Sequence, residues 1–269
     1  MKKIKQIVFP IAGKGTRMAP ISNFIPKEMI PVIDKPVIHF AIEEGINVGF
    51  EEFIFVTNPN KKIVQKYVEE TFPDIKSIFV NQSEPKGLGH AILCARDYVT
   101  EDRFAVSLVD DLIINSNTFD EMLSVQNVDN VVAAMEVSCD EAGRYGIFMY
   151  HEKNEKLIHS SVIIEKPKDP CDIAKRVNCG LYAVMGRYLL SSRIFEFLEK
   201  IEVENEREIQ LADALNPLLN SGEKLAGCIV SGKRLDCGDK TGFINALINI
   251  LLNDEDNRKK IYSILGEKI

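Results

Sequence analysis

An α/β fold built on a doubly wound parallel sheet is predicted for the first half of the chain, on three observations. Short apolar runs at residues 4–9, 53–57, 78–80 and 104–109 have the length and continuity of strands buried on both faces. Helical patterns at 37–48, 61–70 and 91–98 fall between them, and such alternation calls for right-handed crossovers over a parallel sheet. A glycine-containing loop follows the first run, where this architecture places a phosphate loop.

The elements follow in order. The first apolar run stops at Pro10, and the first helical pattern begins after Pro36 and ends at Gly49, a residue suited to a helix stop. The helix over 61–70 is charged, and Asp110 stands at the end of the fourth strand. After about residue 130 the rhythm changes. Strands are predicted at 131–137, 146–150, 162–165, 177–184 and 225–230, helices at 189–200 and 208–219, and a helical tail from residue 240. No repeat, low-complexity tract or linker interrupts the chain, so residues 1–269 read as one domain.

Composition narrows the function classes. A net charge of −7 and a pI near 5.3 exclude nucleic-acid binding as the main role, because that leaves a basic footprint. The N-terminal apolar run is too short for a signal core or a membrane span, and no later segment reaches that length. The six cysteines are scattered without a CxxC pair, as expected of reduced thiols in the cytoplasm.

The segment Ala12-Gly13-Lys14-Gly15-Thr16-Arg17-Met18 is the candidate phosphate loop. Gly13 and Gly15 can take positive φ and bring backbone N–H groups to an anion, and Arg17 adds a permanently charged fork. Neither a P-loop nor a dinucleotide fingerprint fits, since Met18 stands where the third glycine would fall. Downstream, prolines at 26 and 31 stiffen the chain around Lys27.

These segments together carry a resemblance. Gly13-x-Gly15-Thr16-Arg17 with Pro26-Lys27-Glu28-Met29-x-Pro31 resembles the bacterial sugar nucleotidyltransferases, and the Pro-Lys-Glu-Met form is similar to their UTP–glucose-1-phosphate uridylyltransferase branch. Asp34-Lys35-Pro36, Lys86-Gly87-Leu88-Gly89-His90-Ala91, Glu165-Lys166-Pro167, Glu208-Ile209-Gln210-Leu211 and Asp236-Cys237-Gly238 follow in the family's order. Three departures stand beside them. Lys14 replaces a hydrophobic residue or tyrosine, residues 56–82 lack a long insertion, and Asn178-Cys179-Gly180-Leu181-Tyr182 is nearer the thymidylyltransferase branch.

The resemblance implies a Rossmann-like doubly wound mixed sheet of the nucleotidyltransferase (glycosyltransferase A-like) type with sugar-binding additions. The nucleotide-binding part would occupy about 1–130, and the sugar-binding and C-terminal helical part about 131–269. It implies transfer of a uridylyl group from UTP to glucose 1-phosphate, with dTTP or another hexose phosphate as the alternative. Mg²⁺ would be held by Asp110 and Asp236, as suits an ion that takes few protein carboxylates; Asp111 stays open as a further acid. Arg17, Lys27, Asp110 and Lys166 would carry catalysis. Ala12, Gly13, Gly15, Thr16, Arg17, Lys27, Gln82 and Gly87 would hold the nucleotide, with the Gln82 amide offering a donor and an acceptor to the base. Gly146, Glu165, Lys166 and Asn178 would hold the sugar phosphate. His90 is expected to orient rather than act as a base, because a phosphate nucleophile is already ionised. A homodimer or homotetramer is implied too, with the tail over 243–265 as a candidate interface.

Overall fold

The computed structural model describes residues 4–177, 180–202 and 207–265. The first half runs β1 (Gln6–Pro10), β2 (Pro31–Val32), β3 (Lys35–Pro36), α1 (Val37–Val48), β4 (Glu52–Thr57), α2 (Lys62–Thr71), β5 (Lys76–Asn81), α3 (Leu88–Cys94), β6 (Arg103–Ser107), β7 (Asp111–Ile114) and α4 (Thr118–Leu123). The second half runs β8 (Asn130–Val137), α5 (Cys139–Ala142), β9 (Gly146–Lys153), β10 (Leu157–Glu165), α6 (Pro170–Val177), β11 (Leu181–Ser191), α7 (Ile194–Leu198), α8 (Leu211–Asn220), β12 (Leu225–Ile229), β13 (Lys233–Asp236), α9 (Lys240–Asn253) and α10 (Glu255–Leu265).

Nine strands form one mixed sheet in the order β5-β4-β1-β6-β11-β8-β12-β10-β9. β1, β4, β5 and β6 are mutually parallel, whereas β11 runs antiparallel to both β6 and β8. Alternate residues of β1 feed the two faces. Val8 joins the core beneath α3, α7 and α8, while Ile7 and Phe9 join the core beneath α1, α2 and α4. The strand order reverses between β1 and β6, and ligands in open α/β sheets bind at the carboxyl ends of the strands beside such a switch point. The loop after β1 and the turn after β6 both open there.

Three expectations need correction. Residues 189–191 belong to β11, and the helix behind them covers only Ile194–Leu198. β11 is buried on both faces along nearly its whole length, and the short apolar run at its end, residues 188–190, has no period that separates strand from helix. Residue 177 closes α6 and does not open a strand. Asp110 lies in the turn beyond β6, which ends at Ser107. Helix α1 matches its predicted span, with Gly49 at φ 86° as its stop.

Candidate active site

The loop after β1 is anchored from behind. The Lys61 ammonium donates to the carbonyls of Ile11 (2.6 Å) and Gly13 (2.7 Å), and the Asn58 amide donates to the carbonyl of Ala12 (2.8 Å). C=O and N–H point opposite ways across a trans peptide, so this brace aims the N–H groups of Ala12, Gly13 and Lys14 away from it. Burial pushes the Lys61 amine down, against the pull of Glu28. The Glu28 carboxylate is fully buried and meets Lys61 through both oxygens, at 2.9 and 3.0 Å. One ion pair thus ties the glycine loop to the segment that carries Lys27. Gly15 takes φ 66° and abuts the Lys27 stem, where an added Cβ would lie 3.2 Å from Lys27 Cβ. Gly13 does not use positive φ, contrary to expectation; an added Cβ there would meet nothing within 4 Å. Thr16 and Arg17 form an exposed single turn after Gly15.

A second, two-stranded ladder brings the distant aspartates together. β13 pairs antiparallel with β7, setting Asp236 opposite Asp111, and the next rung joins Cys237 N–H to the carbonyl of Asp110 at 2.7 Å. An added Cβ on Gly238 would lie 2.9 Å from Asp236 Oδ1, 3.0 Å from Arg17 Nη2 and 3.3 Å from Asp110 Oδ2. Three of the predicted groups therefore border one small space. Lys27 closes on it too, its ammonium 2.6 Å from Asp110 Oδ2. Burial opposes the charge on Asp110, but Lys27, their hydrogen bond and Arg17 outweigh it and hold the carboxyl below its ordinary range. Burial likewise opposes the Lys27 charge, and Asp110 and Glu28 raise the amine above its ordinary value. Cys237 is pushed up to about 12 by burial and the surrounding aspartates, so it stays a protonated thiol.

Asp111 is committed elsewhere. Oδ1 accepts from Arg234 Nε at 2.8 Å and also contacts Arg234 Nη2, and Oδ2 accepts from Gly186 N–H at 2.9 Å. It holds the β7–β13 ladder to β11, and both of its oxygens are already hydrogen-bonded within the protein. Gly238→Ala is expected to leave the fold standing, because the added carbon meets side-chain ends that can move. It should nevertheless lower kcat/KM about a hundredfold, the cost of displacing reacting groups by an ångström; steady-state kinetics beside a thermal melt checks this.

A cavity of roughly 200 Å³ is lined by Asp111, Tyr145, Tyr188 and Arg234, among others. Gly146, Glu165 and Lys166 all face it. An added Cβ on Gly146 would lie 3.0 Å from Glu165 Oε2, so glycine leaves that carboxylate accessible. Lys166 takes φ 44°, an uncommon conformation for a side-chain-bearing residue that concentrates at functional sites. Its N–H donates to the Tyr145 carbonyl at 3.0 Å, and its amine lies 3.6 Å from Glu165. Asn178 lies outside the described residues.

Gln82 is buried, and its amide nitrogen reaches the Gly87 carbonyl (3.3 Å) and His90 Nδ1 (2.9 Å). Both amide hydrogens are thereby engaged, so this side chain presents an acceptor alone, where a donor and an acceptor were expected. Gly87 takes φ 94° with its Cα against Ile209, where an added Cβ would come within 2.7 Å of the Ile209 carbonyl.

Arg234, Lys61 and Glu28 are the structural contributors that sequence reasoning did not single out; Asp111, left open there as a further acid, serves with them as a structural ion-pair partner. Arg234 lies on β13 among charged neighbours, with no spacing that marks it. Glu28 stands beside Lys27 inside a motif already noted, which was the available signal.

These geometries sit on a chain that belongs to the nucleotidyl transferase family, whose model matches residues 9–253. Within it, the chain is similar to the UTP–glucose-1-phosphate uridylyltransferase of Bacillus subtilis (strain 168), at 30% identity over 97% of this chain and 96% of the relative. It is similar in structure to a UDP-glucose pyrophosphorylase complexed with UDP-glucose, with TM-score 0.84 and 33% identity over 94% of this chain and all of that one. A UTP-bound UGPase from Acinetobacter baumannii matches at TM-score 0.81 and 29% identity, covering 99% of this chain and 100% of the other.

Proposed function

We propose that the protein transfers a uridylyl group from UTP to α-D-glucose 1-phosphate, releasing pyrophosphate and UDP-glucose. The observation that carries this reading is the convergence of Arg17, Lys27, Asp110 and Asp236 on one space at the switch point, next to the cavity faced by Glu165 and Lys166. An oxygen of the sugar phosphate attacks the α-phosphorus of UTP, and the bond to the pyrophosphate oxygen opposite it breaks. Such a step is driven by positioning and charge neutralisation.

Each residue contributes accordingly. The amides of Ala12, Gly13 and Lys14, aimed by the Lys61 brace, and the side chains of Arg17 and Lys27 receive the nucleotide phosphates. Thr16 continues that loop. Lys27, held fully protonated, and Arg17 stabilise charge as the pentacoordinate centre forms. Lys166 holds the sugar phosphate, and Glu165 accepts from sugar hydroxyls. Gln82 and the backbone at Gly87 receive the base. The space above Gly238, bordered by two carboxylate oxygens, suits a divalent cation that completes its shell with phosphate oxygens and water. We read the cation as Mg²⁺, held by Asp110 and Asp236; bound there, it neutralises phosphate charge.

The catalytic unit is the whole domain, with the nucleotide half in about 1–130 and the sugar half in about 131–269. Among the described residues no helix is long and apolar enough to cross a membrane; our reading of the working environment is the cytoplasm. A homo-oligomer fits exposed Ile244 and Ile248 on α9. Incubation of purified protein and Mg²⁺ with each pairing of UTP, dTTP or CTP with glucose, galactose or mannose 1-phosphate is expected to release pyrophosphate fastest from UTP and glucose 1-phosphate. Absence of turnover for that pair sinks the proposal.

A further inference from the structure

The Gln82 amide has two neighbours that decide which of its ends faces the cleft. The atom 3.3 Å from the Gly87 carbonyl oxygen must be the amide nitrogen, because a carbonyl oxygen can only accept. That carbonyl cannot turn away, since it also accepts from Ala91 N–H (3.1 Å) in the first turn of α3. The second amide hydrogen is then directed at His90 Nδ1, 2.9 Å away, which must offer a lone pair. The imidazole proton is left on Nε2, which lies 4.0 Å from Cys94 Sγ. Burial, and then Lys86, push the imidazole down against the opposing pull of Glu84, which favours this neutral form. With both hydrogens spent, only Oε1 of Gln82 is left uncommitted, and no hydrogen bond to that oxygen is present among the described residues.

We propose that His90 is a positioning residue for base choice: its Nδ1 lone pair locks Gln82 with the acceptor oxygen outward, so the site takes bases with a ring N–H at that edge and refuses cytosine. Uracil and thymine carry such an imide N–H. Cytosine has a ring nitrogen lone pair there, and two acceptors facing each other in a buried site leave both unpaired. The inference deepens the proposed function and rests on the assignment of Gln82 to the base.

The test compares kcat/KM for UTP, dTTP and CTP with glucose 1-phosphate in the wild type, His90→Phe and His90→Asn. Phenylalanine keeps a ring but offers no acceptor, so the Gln82 amide is held only by its long 3.3 Å contact to the Gly87 carbonyl and its orientation is no longer fixed by two partners. UTP and dTTP activity are expected to fall together by about tenfold or more while CTP activity does not fall, the scale of one lost hydrogen bond in a buried recognition site. Asparagine places an acceptor oxygen near the position of Nδ1 and is expected to recover most of the discrimination. Equal losses for all three nucleotides in a folded His90→Phe protein overturn the proposal. So does ¹⁵N NMR of the wild type showing the His90 proton on Nδ1, a measurement that needs no variant to fold. If the wild type fails to turn over UTP, the proposed function falls, and the tautomer measurement still judges the locking of Gln82 separately.

Discussion

Asp110→Asn is expected to lower pyrophosphate release about a thousandfold, with the thermal midpoint within a few degrees of wild type. The two effects separate because the amide oxygen can still accept from Lys27, 2.6 Å away, so the packing of the turn survives. What disappears is the negative charge that, on our assignment, Lys27 and the cation would share. Asp236→Asn should behave alike, since an amide oxygen can also keep the contact that Asp236 Oδ1 makes with Gly238 N–H at 2.8 Å. Initial rates across a Mg²⁺ titration provide the check. Activity within tenfold of wild type in either variant would falsify the metal assignment.

Lys61→Met is expected to destabilise the protein by about 3–5 kcal/mol, the scale for removing one partner of a buried ion pair. In a chain of this size that lowers the unfolding midpoint by on the order of 10 °C. The loss has two origins. Glu28 keeps a fully buried carboxylate without its cation, and the carbonyls of Ile11 and Gly13 lose their donor. The double variant Lys61→Met with Glu28→Met removes the stranded charge and should regain a large part of the stability. It should not regain activity, because only Asn58 then anchors the glycine loop, through the Ala12 carbonyl, and no ion pair couples that loop to the segment carrying Lys27. Urea unfolding and kinetics on the single and double variants read the two effects apart. A double variant as active as wild type would show that the brace has no part in positioning.

The nucleotide half of the fold was legible because its strands are short apolar runs punctuated by Pro10, Gly49 and charged helices, so period and length agreed. The second half was less so. β11 is buried on both faces, and its apolar end has no period that separates strand from helix; β7 and β13 span four residues each, too few to show a period. Among the site residues, Arg17, Lys27, Asp110 and Asp236 were found through ordered motifs, and the structure brings them together. The roles of Asp111 and Arg234 were not legible, because a buried ion pair between residues 123 positions apart leaves no local pattern. From sequence the Gln82 amide reads as bifunctional, because its hydrogen-bond partners, a backbone carbonyl and His90, depend on the turn geometry at Gly87.

The β7–β13 ladder also has a bearing on biosynthesis. It is closed by residues 233–236, which follow every other candidate catalytic residue in the chain. A nascent polypeptide that has emerged only through residue 230 carries the glycine loop, Lys27, Gln82, Asp110 and Lys166 but neither Arg234 nor Asp236. On our assignment, such a chain cannot complete the cation site however well its parallel strands have formed. Catalytic onset would thereby wait until residue 236 has emerged, and products terminated before it would be inert.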